Sequence, residues 1–207
     1  MWRRSLVRKG KLEKTEFSTA RLMRVLALET YWDTSPDDAR SVRGLLDTVQ
    51  QNRSGVVVHH RLFSSKRDLG WYLEDSWPGS PYDVLYLATH GGDGALEDAW
   101  GQGISRSWLT KRLAGSCENR VVYLSACGSL SGPLGGIDTM RDAMGAAVLA
   151  GYAEDVEWVA GAAVDLIALA ALAEANHKGW STPPAEVLAA VSAMYPDLAN
   201  RTGFVAR

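Results

Sequence analysis

An α/β fold, with a doubly wound, mostly parallel sheet and helices on both faces, is the class that this sequence predicts. Three observations carry the prediction. Strand and helix signals alternate along almost the whole chain. The strand candidates are apolar runs without strict alternation, as expected of strands covered on both faces. Successive strands are separated by stretches long enough for a helical crossover.

Leu22–Leu28 is the first short apolar run, and it leads into a turn over Glu29–Pro36. Ser35 and Pro36 open a helical pattern with Ala39, Val42, Leu45, Leu46 and Val49 at helical spacing, ended by Ser54-Gly55. Val56–Leu62 is a second strand, rich in β-branched residues. Lys66–Ser76 reads as a helix through Leu69, Tyr72 and Leu73, stopped by Pro78-Gly79. Val84–Thr89 is a third strand, followed by a loop over residues 90–94. Ser105–Leu113 is a short helix, Val121–Ala126 a fourth strand, and Gly128–Gly136 a glycine-rich loop. Asp138 caps a short helix to Met144, and Ala146–Ala150 is a fifth strand. Helices over Val156–Asn176 and Pro184–Leu198 close the chain. A sheet of about five strands in flavodoxin-like order, formed by one domain over residues 19–207, accommodates all of these. Residues 1–18 form a basic segment with no place in the scheme. A disordered tail, an expression remnant and the end of a removed prodomain remain open readings of it.

With 207 residues, 46% of them hydrophobic, the chain can bury a sizeable core without disulfides or metal. A formal net charge of -2 argues against direct binding of nucleic acid. The basic start lacks the apolar run of a signal peptide. The most apolar later stretch, Gly161–Ala175, is broken by Asp165 and is too short to span a bilayer. A soluble, cytoplasmic protein with no membrane contact is therefore expected. Cys117 and Cys127 flank one strand, and seven extended residues cover roughly 23 Å. That is too far for a disulfide, so both thiols are expected to be free.

In an open parallel sheet, ligands sit beyond the carboxyl ends of the strands, where strand order reverses. Two segments deliver reactive groups there. Asp83-Val84-Leu85-Tyr86-Leu87-Ala88-Thr89 runs into His90-Gly91-Gly92, and Val121-Val122-Tyr123-Leu124-Ser125-Ala126 runs into Cys127-Gly128. Adjacent strands lie roughly 4.8 Å apart, which would bring imidazole and thiol into one cleft. The thiolate is the nucleophile, and a neighbouring imidazole can stabilise it and then protonate a departing amine. The amides of Gly91 and Cys127 can hold a developing oxyanion.

Leu87-Ala88-Thr89-His90-Gly91 and Leu124-Ser125-Ala126-Cys127-Gly128 resemble the catalytic strands of the caspase-like cysteine peptidases, in particular their bacterial CHAT-domain group. Gly145–Tyr152 resembles the strand that follows the catalytic loop there. The resemblance implies a caspase-like hydrolase in which His90 is the general acid/base and Cys127 the nucleophile. It implies cleavage of a protein or peptide substrate through a thioester, with no cofactor and no metal. Gly91, Gly128, Ser125 and Asp33 are the oxyanion and substrate-binding candidates. Ser125 stands where caspases carry glutamine and metacaspases aspartate, so the P1 preference is not transferred. Asp33 lies near another pocket position of the family and would favour a basic P1 side chain. A turn residue before Pro36 is the other reading of it. A catalytically silent interaction module on the same fold, or an enzyme awaiting an activating protein partner, would look alike in sequence. A flavodoxin-like binder of small molecules with an incidental thiol is a third class.

Other features carry less. His59 and His60 point to opposite faces of a strand and cannot chelate one ion from that spacing. His177 is expected at a helix C-terminus, where a cation is favourable. Glu154, Asp155 and Glu157 either line the same substrate cleft or begin the next helix, where acids suit the dipole, and the helix is the favoured reading. Of the eight tryptophans, Trp158 is a candidate border of a substrate groove. Neither glycine-rich loop matches a phosphate-binding or serine-hydrolase pattern.

Overall fold

The computed structural model describes residues 21–33, 35, 37–52 and 55–207. The basic segment 1–18, Pro36 and Ser54 lie outside the described residues. In chain order the elements are β1 (Met23–Thr30), α1 (Arg43–Asn52), β2 (Val56–Phe63) and α2 (Lys66–Trp71), which continues as a π-helical turn, Tyr72–Ser76. Then come β3 (Val84–Ala88), β4 (Gly91–Gly92), β5 (Ala95–Glu97), β6 (Gly103–Ser105), α3 (Arg106–Leu113), β7 (Val121–Ser125) and α4 (Leu134–Met144). The chain closes with β8 (Val148–Tyr152), α5 (Trp158–His177), α6 (Pro184–Met194), α7 (Pro196–Thr202) and β9 (Phe204–Ala206).

Six strands form one sheet in the order β2-β1-β3-β7-β8-β9, parallel except for β9. Strand residues alternate between two buried layers, so both faces are covered and the α/β expectation holds. Val25, Ala27, Val84, Tyr86, Val121, Tyr123, Val148 and Ala150 pack on α1, α5 and α6. Leu26, Leu28, Leu85, Leu87, Val122, Leu124 and Leu149 pack on α2, α3 and α4. The order is compatible with a doubly wound sheet. From β1 the chain adds β2 on one side and β3 on the other, so it reverses direction between β1 and β3. α5 is long and apolar enough to cross a membrane by length and composition alone. Its Val164, Ala168, Leu169 and Leu172 stripe is buried against the sheet.

Several boundaries differ from those the sequence predicts, each for a local reason. α1 begins at Arg43 rather than near Ser35. Short polar side chains intercept the backbone before it: Asp33 accepts from the Ser35 N–H, Ser35 from Asp37, and Asp38 from Arg40. Such local bonds compete with helix. α4 begins four residues earlier than Asp138, with Gly135 and Gly136 in its first turn. Asp138 pairs with Arg207 at 3.2 Å instead of capping. The fifth strand is shifted to Val148–Tyr152. The last predicted helix is two, because Pro196 cannot continue α6 and instead opens α7.

Two features were not predicted. β9 closes one edge of the sheet against β8. The segment after His90 is no plain loop: β4, β5 and β6 form a small antiparallel sheet. Asp93 and Gly94, both at positive φ, make its two-residue hairpin turn.

Candidate active site

β3 and β7 pair in parallel from Val84 opposite Val121 to Ala88 opposite Ser125. The Thr89 N–H still donates to the Ser125 carbonyl at 3.2 Å. The same offset carried two residues further places His90 opposite Cys127. Both have the parity of Ala88 and Ser125, the face covered by α1 and α5. Neighbouring parallel strands lie about 4.8 Å apart, so the two backbones are adjacent at the rim of the sheet.

Their side chains are each held by a third party. His90 Nε2 lies 2.6 Å from the Trp32 carbonyl oxygen. A carbonyl only accepts, so Nε2 carries the proton and Nδ1 is the nitrogen that can take one. The Cys127 sulfur accepts from the Val156 N–H at 3.3 Å, and its S–H donates to the Val156 carbonyl at 3.5 Å. No hydrogen bond joins sulfur and imidazole among the described residues. Cys127 is partly exposed, whereas Cys117 is fully buried and burial pushes its thiol up. Both cysteines are free.

Glycine is required beside the pair. A Cβ on Gly91 would lie 2.7 Å from the Cys127 carbonyl oxygen and 2.8 Å from that of Ala95. Gly91→Ala is therefore expected to spread the β4–β5 hairpin from β7 and to lower both melting temperature and any activity of the site, checked by thermal melts and turnover. The Gly128 amide donates to the Glu154 carbonyl at 2.9 Å and is committed there. Gly128 itself has φ 53 and packs on Gly92.

Cys127 opens into a cavity of about 200 Å³. Trp32, Val42, Val156 and Trp158 wall it, and Ser125 and Asp165 line it. Trp158 thus borders the groove beside Cys127. Glu157 does two things, standing at the N-cap position of α5 and lining this cavity. Asp33 lies elsewhere. It pairs with Arg40 at 3.6 Å, makes the turn bond to Ser35, and borders a separate depression with Trp100 and His60. His59 and His60 do face opposite ways, to the Tyr82 hydroxyl at 2.7 Å and to Glu29 at 2.6 Å.

Three residues that the sequence reading passed over prove central. Glu29, 1% exposed at the end of β1, accepts from the Trp32 indole at 2.5 Å, the Ser41 hydroxyl at 2.8 Å and the Val42 N–H at 2.8 Å, and contacts His60. Burial acts to raise its pKa, but bonds from His60, Trp32, Val42 and Ser41 outweigh this and hold the carboxyl below its ordinary range. Trp32 is the hub of the site. Its carbonyl holds His90, and its ring meets His90 and Trp158 edge-on at 5.2 and 4.7 Å.

Asp165, 2% exposed on α5, is the third. Its Oδ2 accepts from the Tyr86 and Ser125 hydroxyls, each at 2.6 Å, and its Oδ1 lies 2.5 Å from the Tyr152 hydroxyl. That hydroxyl is also 3.0 Å from the Gly161 carbonyl. A tyrosine has one proton to give. A neutral Asp165 resolves the conflict: Oδ1–H donates to Tyr152, which donates to Gly161. Burial likewise pushes the Asp165 pKa up, against the hydroxyl bonds that oppose it. A raised pKa contributes stability that is lost as pH rises through it. Asn mimics the neutral acid and does not titrate. Asp165→Asn is accordingly expected to melt above the parent at pH 8 and to match it toward pH 4, each kcal/mol reading as about 2–4 °C in a chain of this size.

No protein-family model matches the chain, and no curated protein matches it.

Proposed function

We propose that this chain is a caspase-like cysteine endopeptidase with His90 and Cys127 as its working pair. The observation that carries the reading is the shared register: His90 and Cys127 follow the ends of the paired strands β3 and β7 by the same two residues, beside the switch point, with a cavity against the sulfur. The flavodoxin-like order of the five parallel strands fits it. In the reaction, His90 Nδ1 takes the thiol proton and the sulfur attacks the scissile carbonyl carbon. The Gly91 and Cys127 amides are the donors proposed for the developing oxyanion. Collapse of the tetrahedral adduct breaks the C–N bond, the amine leaves with the proton from His90, and a thioester remains. Water, activated by the same imidazole, releases the acid and restores the thiol.

The sulfur must first leave the Val156 backbone to meet His90. That engagement with Val156 favours a second reading, a catalytically silent interaction module on the same fold, or an enzyme held idle until a partner binds.

Reaction with a peptidyl chloromethyl ketone, followed by adduct mapping, tests the proposal. Modification of Cys127, and its loss in His90→Ala, is the expected result. A Cys127 that labels no faster than a free thiol, and is indifferent to His90, would favour the silent module.

A further inference from the structure

On the face of the sheet opposite α1 and α5, a depression opens between α2 and α3, and its lining includes Lys66, Arg67, Gly70, Trp71, Trp108 and Arg112. The reaction proposed for Cys127 uses none of them. The Lys66 ammonium lies 5.2 Å from the Trp108 ring centroid, and the Arg112 guanidinium 5.1 Å from it. Both cations are therefore held on one ring, within about 10 Å of each other, a range over which charges still repel through physiological salt. Gly70 is the floor beneath them: a Cβ there would stand 3.5 Å from the Trp108 ring and 3.8 Å from the Arg112 guanidinium. The acids nearby do not balance this charge. Glu74 pairs with Arg112. Asp98 accepts from the backbone amides of Lys66, Trp100 and Gln102, and Asp68 from the amide and hydroxyl of Ser64. Lys66 and Arg67 have no carboxylate partner among the described residues. Apolar surface continues from the cations. Trp71 borders this depression and a second one with Tyr31 and Leu62, and those two border a third with Trp100. All four side chains are 45–69% exposed, an unusual run of large apolar groups in water.

We infer that the depression between α2 and α3 is the docking site for an acidic segment of a protein partner. The segment's carboxylates meet Lys66, Arg67 and Arg112, and its apolar side chains lie along Trp71, Leu62 and Tyr31. The inference stands on this surface alone and is independent of the chemistry at Cys127. Charge complementarity selects the carboxylates, because acceptor oxygens between Lys66 and Arg112 relieve the repulsion of the two cations. The apolar track selects a polypeptide over a free anion, which would leave that track bare. A nucleic acid fits less well. It calls for a row of cations, whereas Glu74 stands inside this one, on a chain of net charge -2.

Fluorescence anisotropy on the full chain tests it, with two labelled peptides of equal length. One carries a run of glutamates followed by leucines and serines, and the other has glutamine in place of every glutamate. At low salt the acidic peptide is expected to bind about tenfold tighter, the sum of a few exposed ion pairs. That advantage is expected to shrink to within about twofold at high salt, where screening is strong. Lys66→Gln combined with Arg67→Gln is expected to bring the two peptides equally close at low salt. Equal binding of both peptides by the native chain, a comparison that needs no variant, overturns the inference. So does a preference that survives the double substitution in a chain that still melts cooperatively. Inorganic phosphate that displaces the acidic peptide at concentrations near the peptide's own Kd marks a free-anion site and overturns the protein partner. Tighter binding of a single-stranded oligonucleotide carrying the same number of charges overturns it as well.

Discussion

Cys127→Ala is expected to abolish peptide cleavage, by at least about 10³-fold, and His90→Ala to do nearly the same, with the double variant no worse than either. The reasoning is that thiol and imidazole act as one unit. Without the sulfur no thioester forms, and without the imidazole nothing takes the thiol proton or returns it to the amine. Neither change should unfold the chain. Both residues are only partly buried at the rim of the sheet, and the two cores below them are packed by other side chains. Turnover of a quenched peptide, read beside thermal melts, decides the matter. Multiplicative losses in the double variant would mean that the two residues act separately, and the dyad would have to be abandoned.

The architecture was legible because it rests on patterns that survive in one dimension. Apolar runs such as Val84–Ala88 and Val121–Ser125 can be buried on both faces only in a covered sheet, and their regular separation leaves room for crossovers. His90 and Cys127 could be set on neighbouring strand ends for the same reason: each follows such a run, so parallel register brings their backbones side by side. Elements that depend on long-range closure were not legible. β9 is three residues whose only argument for being a strand is the unpaired edge of β8. The hairpin after His90 did leave a signal, Asp93-Gly94, the dipeptide that suits a tight turn, but glycines on one side of it hid the strand. Site residues divided in the same way. Asp33 looked useful by its position in the chain, yet it makes a turn bond to Ser35 and borders a different depression from the one at Cys127. Asp165 interrupts an apolar helical run, and an ionisable group in such a place is either a defect or a device. Only the fold shows that it meets Ser125, forty positions earlier. Glu29, ending the apolar run of β1, carried the same signal.

The largest loss of stability is expected from Glu29→Ala. Removing this carboxylate strands the Trp32 indole, the Ser41 hydroxyl and the Val42 N–H in a buried setting, and deprives His60 of its partner. Losing one side of a buried charged network costs about 3–5 kcal/mol, or a fall of roughly 10 °C in Tm for a chain this long. The effect should not stop at stability. Glu29 ties down the Trp32 ring, and the Trp32 carbonyl is what holds His90 Nε2. A loosened Trp32 would let the imidazole turn, so cleavage should drop even at temperatures where the variant is folded. Glu29→Gln keeps the shape and two of the acceptor contacts, and should lose less on both counts. Acid gives an independent check of the charge. A carboxylate held below its ordinary value of 4.5 contributes stability that is complete above that value and is lost as pH falls through its folded pKa. The melting gap between the parent and Glu29→Gln should therefore be widest near neutrality and narrow below about pH 4.5. A gap that stays constant down to pH 3 would mean that Glu29 is not an anion in the folded chain, and that the clamp on Trp32 and His90 draws its strength from elsewhere.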